Sequence, residues 1–224
     1  MIYVMSDLHG EFDKFIEMLK TINFSSADTL YILGDILDRG NSSIKIIDYI
    51  RKPENKNIHL IVGNHELLFT MYYANNQYLT AWIKNGGFST YRELEEKGEE
   101  YTKELYEYLL KLPTYKIIDK FILVHAGLNI PENSENLSIE ELMSLQDQDS
   151  LLWDRSFINS DKYFQDFTVI CGHTPTINYM PENKKAKILH SQGKIMIDCG
   201  AHFKNLNGRL ACLRLDDLEE FYVE

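Results

Sequence analysis

Three times within the first 75 residues, an apolar β-rich run ends in a short glycine-flanked loop carrying Asp or His, and helix-forming sequence follows. Ile2-Tyr3-Val4-Met5 leads into Ser6-Asp7-Leu8-His9-Gly10, and residues 11–20 then place Phe12, Phe15, Ile16 and Leu19 at the spacing of an amphipathic helix. Residues 28–33 read as a buried strand, Gly34-Asp35-Ile36-Leu37-Asp38-Arg39-Gly40 as its loop, and Asn41-Ser42-Ser43 as the cap of a helix to about Ile50. Residues 58–62 form a third strand, followed by Gly63-Asn64-His65-Glu66. Repeated β-loop-α units imply a sheet with right-handed crossovers. Such sheets gather ligands at the carboxyl ends of their strands.

The middle of the chain changes character. Residues from Leu67 to about Lys84 read as helical, Gly86-Gly87 breaks the pattern, and 89–112 is a second, strongly acidic helical region ending at Pro113. This insert reads as a helical cap with a solvated acidic face. Its Tyr72, Tyr73, Tyr78 and Trp82 are expected to pack, and no chemistry of its own is visible. Beyond Pro113 the pattern is mostly β. Residues 115–118 and 121–124 suggest a hairpin across Asp119-Lys120, closed by His125-Ala126-Gly127. A helical stretch over 138–148 precedes a strand at 168–171 that ends in Gly172-His173-Thr174-Pro175. The runs 187–190, 194–198, 209–215 and 220–223 read as one antiparallel set. With no repeats, low-complexity stretches or linker, the expectation is one domain over 1–224 with a cap insert at about 67–112.

Charge and cysteine usage narrow the function. Acidic residues outnumber basic ones 34 to 23, for a net charge of −11, which argues against general binding to nucleic acid or anionic membranes. An anionic substrate would need local positive charge from metal ions or buried arginines. Cys171, Cys199 and Cys212 lack CxxC spacing and read as buried thiols of a reducing cytosol. No basic, apolar leader and no membrane-length apolar stretch is visible, so the expected location is cytoplasmic.

The strand ends deliver Asp7 and His9, Asp35 and Asp38, Asn64 and His65, His125, and His173. Alone, each has an ordinary explanation: a histidine after a strand is commonly structural, and Asp or Asn caps helices and holds turns. Repetition outweighs this, because five separate strand ends each place a ligand-type residue beside a glycine, and the set takes in Asp, Asn and His together. Oxygen and imidazole donors without thiolate suit Mn, Fe or Zn at a working site better than a structural zinc. Two ions within about 4 Å share a carboxylate and activate water for in-line attack on phosphorus, and Asp35, central in the set, is the natural bridge. Of the remaining histidines, His59 reads as exposed, and His190 and His202 carry no assignment.

In this order, Asp7-Leu8-His9-Gly10, Gly34-Asp35-Ile36-Leu37-Asp38-Arg39-Gly40, Gly63-Asn64-His65-Glu66, His125-Ala126-Gly127-Leu128 and Gly172-His173-Thr174 resemble the motifs of the calcineurin-like metallophosphoesterases. The likeness is greatest to the phosphoprotein-phosphatase branch, which includes bacterial and phage serine/threonine phosphatases and symmetrical dinucleoside tetraphosphatases. Met196-Ile197-Asp198-Cys199-Gly200-Ala201 and Gly208-Arg209-Leu210-Ala211-Cys212-Leu213 resemble the closing strands of the bacterial members. The resemblance implies an α/β fold, a four-layer α-β-β-α sandwich of two mixed sheets with flanking helices and a helical cap. It implies two divalent or mixed-valence ions, with Mn favoured and Fe or Zn as alternatives. Asp7, His9 and Asp35 would hold the first, and Asp35, Asn64, His125 and His173 the second. His65 would be the proton donor to the leaving group, oriented by Asp38, while Arg39 grips phosphate. Arg155, in Leu152-Trp153-Asp154-Arg155, would supply a second phosphate contact, unless it only pairs with Asp154 or Asp161. Glu66 would support the loops from behind. Ser6 departs from the family, where many relatives have glycine before the first Asp.

The implied function is a dimetal-dependent phosphatase cleaving phosphomonoesters, of phosphoserine, phosphothreonine or phosphotyrosine in proteins, through attack by a metal-bound hydroxide. The alternative substrate is a dinucleoside polyphosphate cut at an anhydride, as by a symmetrical bis(5'-nucleosyl)-tetraphosphatase. A catalytically silent scaffold is the third reading, disfavoured because no ligand is lost. The expected partner is therefore a phosphoprotein or a nucleotide polyphosphate, with no nucleic acid and no membrane.

Overall fold

A computed structural model describes residues 1–224, apart from the side chain of Lys204. The strands are β1 (Ile2–Met5), β2 (Thr29–Ile32), β3 (Ile58–Leu60), β4 (Tyr115–Ile118), β5 (Phe121–Val124), β6 (Thr168–Cys171), β7 (Leu189–Ser191), β8 (Lys194–Met196), β9 (Leu210–Arg214) and β10 (Glu220–Val223). The helices are α1 (Phe12–Thr21), α2 (Ser43–Ile50), α3 (Asn64–Ala74), α4 (Leu79–Trp82), α5 (Phe88–Lys97), α6 (Glu99–Leu109), α7 (Ile139–Ser144) and α8 (Gln148–Leu152).

Two five-stranded mixed sheets result, ordered β10-β9-β1-β2-β3 and β4-β5-β6-β8-β7. In the first, β1, β2 and β3 run parallel, whereas β9 and β10 are antiparallel. In the second, β5, β6 and β8 run parallel, with β4 and β7 as antiparallel edges. Alternation along each strand builds the layers, because successive side chains face opposite sides. On β1, Tyr3 and Met5 join a core with Phe15, Ile47 and Leu30 under α1 and α2, while Val4 points into a layer with Leu123, Ile170 and Leu213 between the sheets. On the second sheet, Ile122, Val124 and Val169 pack instead with Leu142 and Leu151 of α7 and α8. Four layers, α-β-β-α, follow from this.

The structure revises three expectations. The four C-terminal runs are not one antiparallel set: β7 and β8 form a hairpin on the second sheet, while β9 and β10 join the first beside β1. Each local pairing is legible, but the sheet that each hairpin joins depends on pairing outside the hairpin, of β8 with β6 as at Val169 and Lys194 and of β9 with the distant β1 as at Val4 and Leu213. Gly86-Gly87 does break the helix, since Gly86 leaves helical geometry (φ 105°) and kinks the chain within the turn Ile83–Gly87, but the acidic region beyond it is not one helix: a further break at Gly98 (φ 88°) divides it into α5 and α6. The helical region also starts earlier, with Asn64 and His65 in its first turn. Leu68, Phe69, Trp82, Leu94, Leu105 and Leu109 share a core with α1 and α2, so the cap is continuous with the first sheet's helical layer. The cysteines are buried free thiols, as expected.

Candidate active site

Every expected site residue except the half-buried Arg39 and the exposed Arg155 lies buried where the parallel strands of both sheets end. The backbone there is unusual. Asp7, His9, Asp35, Asp38, Arg39 and His173 all have φ between 40° and 72°, a region that non-glycine residues rarely occupy and that costs about 1 kcal/mol or more per residue. The surrounding hydrogen bonds enforce it. His9 N–H donates to the Asp35 carbonyl (2.9 Å), Gly10 N–H to Ile36 (3.0 Å), Gly40 N–H to His9 (3.0 Å) and Gly172 N–H to His125 (2.8 Å). Beneath the loops, the Glu66 carboxylate accepts from the N–H groups of Asp35 (2.8 Å), Ile36 (2.9 Å), Leu37 (3.1 Å) and Gly63 (2.9 Å). The bond to Gly63 is the reach-back half of a capping box for α3. Burial and the neighbouring Asp35 charge lift the Glu66 carboxyl to about 7.

The candidate ligands converge in two groups. Donor atoms of His9, Asp35 and His65 lie within 4.8 Å of one another, as do those of Asp35, His125 and His173, so Asp35 belongs to both. Asp7 joins the first group, its Oδ1 lying 3.9 Å from His9 Nε2. Its Oδ2 accepts from Ser6 Oγ and from His173 N–H (3.0 Å). The serine that departs from the family pattern thus orients the first aspartate. Gly172 permits this packing, because a Cβ there would fall 1.8 Å from Ser6 Oγ and 2.2 Å from Asp7 Oδ2. Asn64 Oδ1 lies 2.9 Å from both His125 Nε2 and His173 Nδ1.

Ring orientation and charge fit a metal pair. His9 Nδ1 is used on the Leu37 carbonyl (2.8 Å), leaving its buried Nε2 without a hydrogen-bond partner while facing Asp7 and Asp35. Burial and the charges of His65 and Arg39 push His9 well below the usual imidazole range. It is therefore neutral, and its 3.6 Å approach to Asp35 is a pair of acceptors rather than a salt bridge. His125 repeats the arrangement, with Nδ1 on the Leu33 carbonyl (2.7 Å) and Nε2 facing Asp35 Oδ1 at 3.4 Å. Burial raises the Asp7 carboxyl, whereas at Asp35 the neighbouring His125 and His65 outweigh burial and hold the carboxyl below its usual range. Burial and His125 lower His173 to about 3. The open Nε2 of His9 beside the buried carboxylates of Asp7 and Asp35, with Asp35 common to both groups, suits divalent cations.

His65 is placed differently. Its Nδ1 is 2.7 Å from Asp38 Oδ2, and Arg39 Nη2 is 3.1 Å from its Nε2. Burial alone would lower its pKa, but the carboxylates of Asp35 and Asp38 outweigh burial and raise it. Arg155 is exposed at the rim, its Nε 3.3 Å from His173 Nε2, while Asp154 accepts from the N–H groups of Ser156 and Phe157.

The family follows from this arrangement together with a match to the calcineurin-like phosphoesterase pattern over residues 1–202. The chain belongs to that family. A symmetrical bis(5'-nucleosyl)-tetraphosphatase of Wigglesworthia glossinidia brevipalpis is 33% identical over 129 residues, 56% of this chain and 44% of the relative. The chain thus matches less than half the length of this curated relative. A crystal structure provisionally named a diadenosine tetraphosphatase superposes with a TM-score of 0.65 at 16% identity, covering 99% of this chain and 92% of that one. A Saccharomyces cerevisiae protein serine/threonine phosphatase superposes with a TM-score of 0.63 at 15% identity, covering 99% and 78%. At such identities the two structures establish the common fold.

Sequence reasoning missed the cap's share of this family site. Trp82 Nε1–H donates to Asp38 Oδ2 (2.9 Å), and Asp38 N–H donates to Thr90 Oγ1 (2.8 Å) and Ser43 Oγ (3.1 Å). Arg39 N–H donates to the Gly86 carbonyl (3.0 Å). The start of α2 is capped not by Ser42 but by the Glu93 carboxylate, which accepts from Ser43 and Ile44 N–H, both at 3.0 Å. The Gly86-Gly87 pair was the one visible signal of these contacts.

Proposed function

We propose that this chain is a dimetal phosphatase that hydrolyses phosphomonoesters, with phosphorylated protein side chains as substrates. The observation that carries this reading is His65 tied to Asp38 on one side and beside Arg39 on the other, at the edge of the two ligand groups. Asp7, His9 and Asp35 would hold one ion, and Asp35, Asn64, His125 and His173 the other. Bound there, the ions would activate water for in-line attack on phosphorus and neutralise charge on the phosphoryl group. The chain's own residues do the rest. Arg39 offers a planar fork to phosphate oxygens, and Arg155 adds a second guanidinium from the rim. A departing alkoxide has a high pKa and needs a positioned acid, a task suited to a histidine whose pKa is raised. In the free site Arg39 donates to Nε2, so a protonated His65 requires Arg39 to leave that nitrogen, and phosphate is its natural new acceptor.

Surface charge supports a singly phosphorylated substrate. The groove beside Arg39 is lined by Glu11, Asp13, Glu17 and Glu224 against Lys14, and a second groove beside Trp153 by Asp147, Asp149 and Asp154 against Lys162, so carboxylates predominate in both. Acidic walls repel a chain of four phosphates more than a peptide bearing one. The second reading, a symmetrical tetraphosphatase, is favoured by the name of the curated relative. Metal-stripped protein titrated with Mn and assayed on phosphopeptides and on diadenosine tetraphosphate separates the two. Phosphate release from the peptides supports the first, and preferential formation of ADP supports the second. His65→Asn should lower turnover by about 10²-fold or more while leaving metal content unchanged. Equal activity in that variant removes His65 from the mechanism.

A further inference from the structure

Asp38 is 0% exposed and its Oδ1 has no hydrogen-bond partner among the described residues, so both anchors of its carboxylate fall on Oδ2. One is His65 Nδ1–H and the other is the indole N–H of Trp82, which is 44 residues away in the cap and also 0% exposed. We propose that Trp82 is a positioning residue for proton donation: its indole N–H fixes the Asp38 carboxylate, which in turn fixes the ring of His65.

The ring is built to hold one pose. Tyr72 stacks on it (centroids 4.9 Å apart, planes at 23°), and Phe69 (5.5 Å) and Tyr91 (6.4 Å) meet it edge-on. Gly87 closes the remaining side, where a Cβ would come within 2.5 Å of Nε1. Any fully buried indole N–H needs an acceptor, and here the acceptor is the carboxylate oxygen that also holds His65. Removing the N–H leaves Asp38 held through His65 alone on Oδ2 and free to rotate about χ2. The Asp38 backbone is fixed separately, through Thr90 and Ser43, so the effect is confined to the side chain. Partners of this kind, one step behind a working group, typically matter by about 10- to 100-fold.

The inference rests on His65 acting as the acid, and its test exploits how acid catalysis depends on the leaving group. Trp82→Phe keeps the packing and deletes the N–H. Turnover of phenyl phosphate, whose leaving group needs a proton, should fall about 10-fold or more, while p-nitrophenyl phosphate, whose leaving group needs it less, changes by less than about 3-fold. KM and metal content stay as in the unsubstituted chain. An equal fall on both substrates, or no fall on either, overturns the proposal. Should Trp82→Phe fail to fold, Gly87→Ala, which displaces the indole from below, replaces it with the same expected selectivity. A readout independent of activity is the ¹⁵N spectrum of His65: the unsubstituted chain holds the proton on Nδ1, and Trp82→Phe should blur this tautomer preference. An unchanged spectrum overturns the positioning role. Inactivity of the unsubstituted chain on every phosphoester would instead count against the proposed function and leave the spectrum to decide this point.

Discussion

The strand-end loops and the helical cap build the same site by opposite means. The loops would supply metal-ligand and phosphate-binding chemistry from residues close to one another in sequence, as in Asp7 with His9 or Asp38 with Arg39. The cap supplies mainly hydrogen-bond geometry, through Trp82, Gly86, Thr90 and Glu93, each reaching across 44 to 52 residues or so to an atom of the loops or of α2. The difference teaches that ligand identity can be concentrated locally while ligand orientation is distributed. It also predicts different failures, with loss of chemistry from the loops and loss of alignment or stability from the cap.

The largest effect should come from the residue shared by both ligand groups. Asp35→Ala should abolish binding of both ions and lower turnover by on the order of 10³-fold or more, read by metal analysis and phosphate release. Retention of two ions would break the assignment of Asp35 as the bridge. Next is Glu66, which offers no atom to either ligand group but holds four backbone N–H groups, that of Asp35 among them. Glu66→Ala leaves these donors buried and unpaired and should destabilise the fold by about 3 kcal/mol or more, measured by urea unfolding. A loss nearer the surface norm would mean that water replaces the carboxylate.

On the cap side the numbers shrink. Glu93→Ala removes both acceptors at the start of α2 and should cost about 1 kcal/mol, with ligand affinity nearly unchanged. A large loss of metal from this variant would erase the proposed division between the regions. Smallest is the tether between α2 and the cap, where Asp48 accepts from Lys97 (2.7 Å) and Tyr101 (2.6 Å). Burial opposes ionisation there, but these two partners prevail and hold the Asp48 carboxyl below its ordinary value of 3.8. Its stabilising contribution is therefore present above about pH 4 and lost as pH falls through the folded-state pKa. The pair is substantially exposed, so the effect at pH 7 should stay below about 1 kcal/mol. The gap in urea midpoint between the unsubstituted chain and Asp48→Asn should accordingly close on acidification.

Much of the site was legible because its chemistry is short-range. Asp, His and Asn at the ends of apolar strands beside glycines mark a ligand cluster before any contact is known, and the alternation on β1, β5 and β6 assigns each face to a layer. Glu66 was legible as a supporting residue only through the family resemblance, because the sequence pattern places the helix start at Leu67 and hides the capping role that Glu66 takes three positions after Gly63. The destination of the C-terminal hairpins was not, because β7 with β8 and β9 with β10 present similar patterns and only packing against β6 or β1 distinguishes them. Nor was the role of Trp82. A tryptophan among tyrosines reads as core, and whether its one N–H finds a buried carboxylate depends on how α4 folds back over the loop after β2. The sequence by itself determined which groups gather at the strand ends and the layered sheets that carry them, since both depend on residue type and near-neighbour spacing. Tertiary structure alone decided which atom of each group is held, which stays open and what holds it, because those choices are made by hydrogen bonds between segments far apart in the chain.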